Sequence, residues 1–193
     1  MNPMNRSHIA AALMGAALLL TLNVPAMAQR GTPGSGYGAT TPVVQPATAD
    51  EVKWLQYMRE EEKLAGDVYK VLFEKWNLAV FQNIASAEET HFAAIGTLLT
   101  RYGIADPAQS AAGVYTDPAL NTLYNQMVAK GLQSPQDALE VGVTIEKQDI
   151  SDLESALKST DKYDIKRVFT NLMSASHNHL EAFETVCTIT AAN

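Results

Sequence analysis

From about residue 50 onward, apolar residues recur at alternating steps of three and four in four long segments. The pattern predicts a first helix that opens at a capping box, Thr48-Ala49-Asp50-Glu51, and runs to about Trp76. A second is expected from about Phe81 to Tyr102, stopping at Gly103. Ser134-Pro135 opens a third, with serine as N-cap and proline at the first helical position, and it reaches about Ser159. Asp161 is expected to cap a fourth that ends near Thr188. A shorter helix, about Pro118 to Lys130 and closed by Gly131, falls within the connection between the two hairpins. No segment alternates with period two, so no strands are expected. The predicted class is all-α: a four-helix bundle with one long crossover that contains a short extra helix.

The N-terminal part reads differently. Arg6 precedes an apolar run from Ile9 to Leu22, too short for a comfortable membrane span, and the run leads to Pro25-Ala26-Met27-Ala28. Residues 1–28 are therefore expected to be a cleaved signal peptide, which places the chain in the periplasm or outside the cell with no stable membrane anchor after cleavage. Residues 29–48 are rich in Gly, Pro, Thr and Ala and read as a flexible linker, leaving 49–190 as the helical domain.

The formal charge of the whole chain is −7, from 14 basic and 21 acidic residues. Loss of the leader removes only Arg6 and makes the balance more acidic, which argues against nucleic acid as a partner. The single cysteine, Cys187, excludes an internal disulfide and a four-cysteine metal centre.

Read along its apolar seam, each long helix is apolar at both ends and polar only in the middle. The first seam carries Glu62 between Met58 and Ala65, and the second carries Glu88 and His91 between Ile84 and Ile95. Glu146 and Asp149 interrupt the third, and Ser176 and His179 the fourth. One acid on one seam is ordinarily a helix turned toward water, and one histidine on an apolar face is ordinarily a hydrogen-bonded core residue. The coincidence on four seams, with Glu88 and His91 at the i, i+3 spacing that shares a face, favours a metal site. Unpaired buried carboxylates cost several kcal/mol each. Two divalent cations would neutralise the four acids, and the two imidazoles would add a nitrogen each. Such a ligand set suits iron, with manganese or zinc as alternatives.

Glu62-x-x-Ala65-x-x-x-Tyr69 followed by Glu88-x-x-His91 resembles the first two helices of ferritin-like di-iron proteins. Glu146-x-x-Asp149 resembles the third-helix acids of the rubrerythrin branch, and His179 falls where that group has its last ligand. The stretches EEEKLAGDVY, FQNIASAEETHF, VGVTIEKQDISDL and SHNHLEAF are similar to a bacterial and archaeal ferritin-like family known as domain of unknown function 2202. The resemblance implies a ferritin-like bundle with Glu62, Glu88, His91, Glu146, Asp149 and His179 as metal ligands. It also implies Fe(II) oxidation or peroxide reduction, with metal ions and O2 or peroxide as partners and electrons from a separate donor. A homodimer is compatible with such a bundle. The alternative is a non-catalytic periplasmic module that holds metal or binds another protein.

Two features depart from the family pattern. Ser176 stands where the fourth helix would carry an acid, so either Asp149 substitutes or one metal keeps an open position. Glu62 also lies farther from the first turn than Glu88, by about 10 Å at 1.5 Å per residue. An extended climb through Asn77–Val80 would absorb the difference; a tight turn would instead bring Asp67 level with Glu88. The first-helix ligand therefore stays open among Glu61, Glu62 and Asp67. Tyr69 is expected either to hydrogen-bond a ligand or to pack in the core.

Overall fold

The computed structural model describes residues 45–191. The expected leader, 1–28, and most of the expected linker lie outside the described residues. Five helices follow: α1 (Ala49–Trp76), α2 (Ala79–Tyr102), α3 (Pro118–Gly131), α4 (Pro135–Lys158) and α5 (Tyr163–Ala191). Among the described residues there is no strand.

The local signals act much as the sequence suggests. Thr48 and Glu51 form a reciprocal capping box, and the Ser134 hydroxyl accepts from the Asp137 amide ahead of Pro135. Gly103 ends α2 at φ 64°, where a residue without Cβ is unstrained. The fourth long helix differs from expectation. It starts at Tyr163, and the exposed Asp161 pairs with Lys166 at 2.8 Å. The buried Thr160 accepts from the Lys162 amide while donating to Glu51 on α1, which ties down the turn before the helix.

The link between α1 and α2 is tight. Only Asn77 and Leu78 separate the helices, and Asn77 adopts the left-handed conformation at φ 50° that asparagine tolerates better than most residues. The extended climb through Asn77–Val80 is thus absent. α1 lies along α2, and α4 along α5; the two hairpins meet through α1 on α4 and α2 on α5. α3 rests against α1 and α4.

The apolar interior is divided in two. One cluster, including Tyr69, Leu72, Phe81, Leu139 and Phe183, fills the end near the α1–α2 turn. The other, including Leu55, Met58, Ile95, Leu153 and Phe169, fills the opposite end. The polar seam positions fall between them, so the sequence pattern becomes a polar layer across the middle of the core.

α1 is enclosed on more than its two helix-facing sides, because the crossover is fastened along it. Arg59 pairs with Asp106 at 2.8 Å, and Glu60 accepts from the amides of Thr116 and Asp117. Asp67 accepts from Lys63 (2.6 Å), the Gly113 amide (3.0 Å) and the Tyr115 hydroxyl (2.9 Å). As a result Glu60, Glu61 and Glu62 are all buried although they are consecutive.

Close packing sets one sharp constraint between α4 and α5. A Cβ on Gly142 would stand 2.6 Å from the Phe183 ring. Gly142→Ala should therefore destabilise the fold by about 1–3 kcal/mol in urea denaturation, and Phe183→Leu in the same background should recover part of the loss. An unchanged midpoint would mean that the ring moves aside freely.

Candidate metal centre

The polar layer draws one or two side chains from each of the four long helices. On α2 the i, i+3 spacing sets Nδ1 of His91 2.7 Å from Oε2 of Glu88. The same nitrogen lies 3.3 Å from Oε2 of Glu62 on α1. Across the layer, Nδ1 of His179 on α5 lies 3.0 Å from Oε1 of Glu88 and 3.6 Å from Oε2 of Glu146 on α4. Two trios result, Glu62–Glu88–His91 and Glu88–Glu146–His179, each with ligand atoms within 4.8 Å of one another. Glu88 belongs to both, one carboxylate oxygen facing each imidazole. The two rings stack with centroids 5.6 Å apart, and each side chain is only 12% exposed.

The register of the α1–α2 hairpin explains how Glu62 arrives there despite the tight turn. Gly66, not Glu62, faces Glu88: a Cβ on Gly66 would sit 3.5 Å from that of Glu88. Glu62 is one helical turn farther along and level with His91, and the Glu88 side chain reaches toward that level. Asp67 does not enter the layer, because its carboxylate is taken up by the crossover.

Asp149 lies beside the trios rather than within them. Its Oδ2 is hydrogen-bonded to the Ser176 hydroxyl, so the serine is directed at the acid of the facing helix. The Tyr69 hydroxyl donates to Oε1 of Glu146 at 2.7 Å, while its ring packs in the core against Phe81 and Phe183. His177 is exposed.

Four polar atoms in this layer are buried without a hydrogen-bond partner: Oε2 of Glu61, Oε1 of Glu62, Oδ1 of Asp149 and Nδ1 of His179. The last is close to two carboxylate oxygens, but neither is aligned for a hydrogen bond. The carboxyl groups of Glu61, Glu62, Glu88, Glu146 and Asp149 line one enclosed gap, which is narrower than a water molecule. Three of the four unpartnered atoms are carboxyl oxygens of residues lining this gap, and unpartnered oxygens converging on such a gap are what a bound cation satisfies. The residues present fit one.

Protonation carries the same strain. Burial pushes the Glu61 and Glu62 carboxyls well above the usual range, with Asp149 adding to both. Burial also raises Glu146, though His179 offsets part of the effect, and it lifts Asp149 to about 8 despite the Ser176 hydrogen bond. Glu88 is the exception. Burial acts on it too, but His179 and His91 outweigh it and hold the group at about 2. Burial disfavours a charged His179 ring, yet Glu146 and Glu88 raise it to about 10.

Glu61, which the sequence left open as an alternative to Glu62, is buried with it at the gap. A signal was present: its neighbours three and four positions away are Tyr57, Met58, Leu64 and Ala65, which provide no charge partner and no wet face.

Residues 51–190 match the family model described as an uncharacterized protein domain, DUF2202. The chain belongs to this family. The uncharacterized protein MJ0754 of Methanocaldococcus jannaschii is 49% identical over 140 residues, which cover 72% of this chain and 76% of that protein. The crystal structure of that hypothetical protein superposes with a TM-score of 0.76 at 45% identity, over 79% of this chain and 87% of the other. A DUF305 fragment from Deinococcus radiodurans has a TM-score of 0.57 at 14% identity, over 75% of this chain and 99% of the fragment, and shares the fold alone. DUF2202 thus gives the layer a family setting without giving it a chemistry.

The raised carboxyls fix the sign of a pH effect. A group with a raised folded pKa contributes stability below its unfolded value and loses that contribution as pH climbs through the folded value. Glu61, Glu62, Glu146 and Asp149 all act this way, and His179 does so between about 6.5 and 10. Glu88 has the opposite sense, but its contribution disappears only as pH falls from 4.5 toward 2. Chelator-treated protein should therefore melt about 5 °C or more lower at pH 8 than at pH 5, and divalent metal should remove or reverse that slope. A flat or rising profile without metal would contradict the buried layer.

Proposed function

We propose that this protein is an exported ferritin-like four-helix bundle, with α3 in its long crossover, that holds a pair of divalent cations. The observation that carries this reading is the sharing of Glu88 between two carboxylate–imidazole trios around an enclosed gap with unpartnered ligand atoms. Glu62, Glu88 and His91 would hold one cation, and Glu88, Glu146 and His179 the other, with Asp149 at the edge of the pair. Oxygen ligands mixed with imidazole favour iron, with manganese or zinc as alternatives. Paired iron would supply redox chemistry with O2 or peroxide, in the sense of Fe(II) oxidation or peroxide reduction.

The chain's own residues supply the setting for that chemistry. Tyr69 fixes one oxygen of Glu146 and leaves the other facing His179. The apolar clusters above and below exclude water from the layer. Electrons would come from a separate partner, since one cysteine builds no electron-transfer centre. The N-terminal segment supports export to the periplasm or beyond.

Ser176 favours a second reading, a non-catalytic metal holder. Its hydroxyl, bound to Asp149, occupies the seam position at which another acid would complete a symmetric ligand set.

Metal analysis of protein purified without a histidine tag, beside a Glu88→Ala/His91→Ala variant, tests the centre. About two equivalents of iron or manganese in the wild type and a near-complete loss in the variant are expected. Less than about a tenth of an equivalent after anaerobic reconstitution would make the layer structural. Consumption of Fe(II) or peroxide beyond the bound stoichiometry then separates an enzyme from a holder.

A further inference from the structure

A groove of about 310 Å³ runs between α1 and α2 beneath the crossover, and Glu62 and Glu88 form part of its lining. It therefore reaches one trio and the carboxylate that both trios share. Gly66, which has no side chain, keeps the groove clear beside Glu88. Gln109 and Ser110 of the crossover overhang it, and the Asp67 hydrogen bonds to Gly113 and Tyr115 hold that part of the crossover in place. On the outer rim, Lys70 and Glu89 form an ion pair of 2.7 Å with side chains 51% and 63% exposed.

The lining has four carboxyl groups and two lysines, so acids outnumber bases along the cleft from its rim to the trio at its floor. Such clefts concentrate counter-ions and accelerate their arrival. Size points the same way. The gap among the buried carboxyls is narrower than water, whereas the groove has room for a cation that still carries part of its hydration shell. On the α1–α4 face Asp152 is engaged by the Tyr57 hydroxyl and the Gln148 amide.

We propose that this groove is the port through which divalent cations reach the paired centre, with Glu89 at its mouth drawing them in. The inference rests on the metal-centre reading and adds where the ions enter and what sets their rate. Glu89 acts at a distance, through the field it places at the mouth, and makes no contact with either trio.

Stopped-flow uptake of Co(II), followed by its visible absorption, tests the port in the wild type and in two variants of the rim pair. Glu89→Lys should slow uptake about tenfold at low salt and flatten its dependence on ionic strength. Lys70→Glu should speed uptake several-fold, and both variants should reach the wild-type stoichiometry. Each variant breaks the same ion pair, so a merely structural role would move the two rates in the same direction. Ser110→Trp, which fills the space under the crossover, should slow uptake without changing the end point. Rates that move together, or that do not move, overturn the port. A wild-type protein that takes up no Co(II) overturns the paired centre itself, and the end point of the same trace tells the two failures apart.

Discussion

Five carboxyl groups and two imidazoles share one layer between apolar clusters, and the rest of the domain is arranged around the difficulty of keeping them there. A carboxylate taken out of water loses several kcal/mol of solvation unless partners restore it. Glu88 is relieved by two histidines, Glu146 by Tyr69 and His179, and Asp149 by Ser176. Glu61 and Glu62 are relieved mainly by retaining their protons. His91 apart, which shares α2 with Glu88, these partners come from a different helix, so the layer fixes the mutual height of α1, α2, α4 and α5 more tightly than interchangeable apolar contacts would.

Much of this was legible in the sequence because helical periodicity places every seam residue on an inward face whatever the tertiary arrangement. Glu88 and His91 had to share a face, and the apolar ends of each seam had to form clusters above and below. Relative heights were harder to read. They depend on the turn, and two residues with Asn77 in a left-handed conformation give a register in which Gly66 faces Glu88 and Glu62 faces His91. Seam counting measured the wrong pair, so the mismatch it found was not a displacement. Asp161 misled for a related reason: it has capping chemistry, but Thr160 was claimed by Glu51 from a helix more than a hundred positions away in sequence.

The crossover is the element that sequence patterns describe least. Periodicity assigned α3 correctly but said nothing of residues 105–117, whose hydrogen bonds go largely to side chains on α1. Asp67, a candidate ligand by its height on α1, and Glu60 are both taken up by that segment. They then serve as acceptors for amides that no helix or strand would satisfy, which is how an irregular connection stays pinned over a groove.

Glu88 sits in both trios, and that has a consequence for how a loaded centre would fill. In the proposed centre an ion on the His91 side would orient one oxygen of the carboxylate and thereby preset the other for the His179 side. On that reading the second ion would meet a ligand already turned toward it, so the two events would reinforce each other. Half-filled molecules would then be scarce, and occupancy would rise over a narrow range of free metal. A protein with such a centre would respond to metal supply with a threshold, whereas two separate sites would track it in proportion.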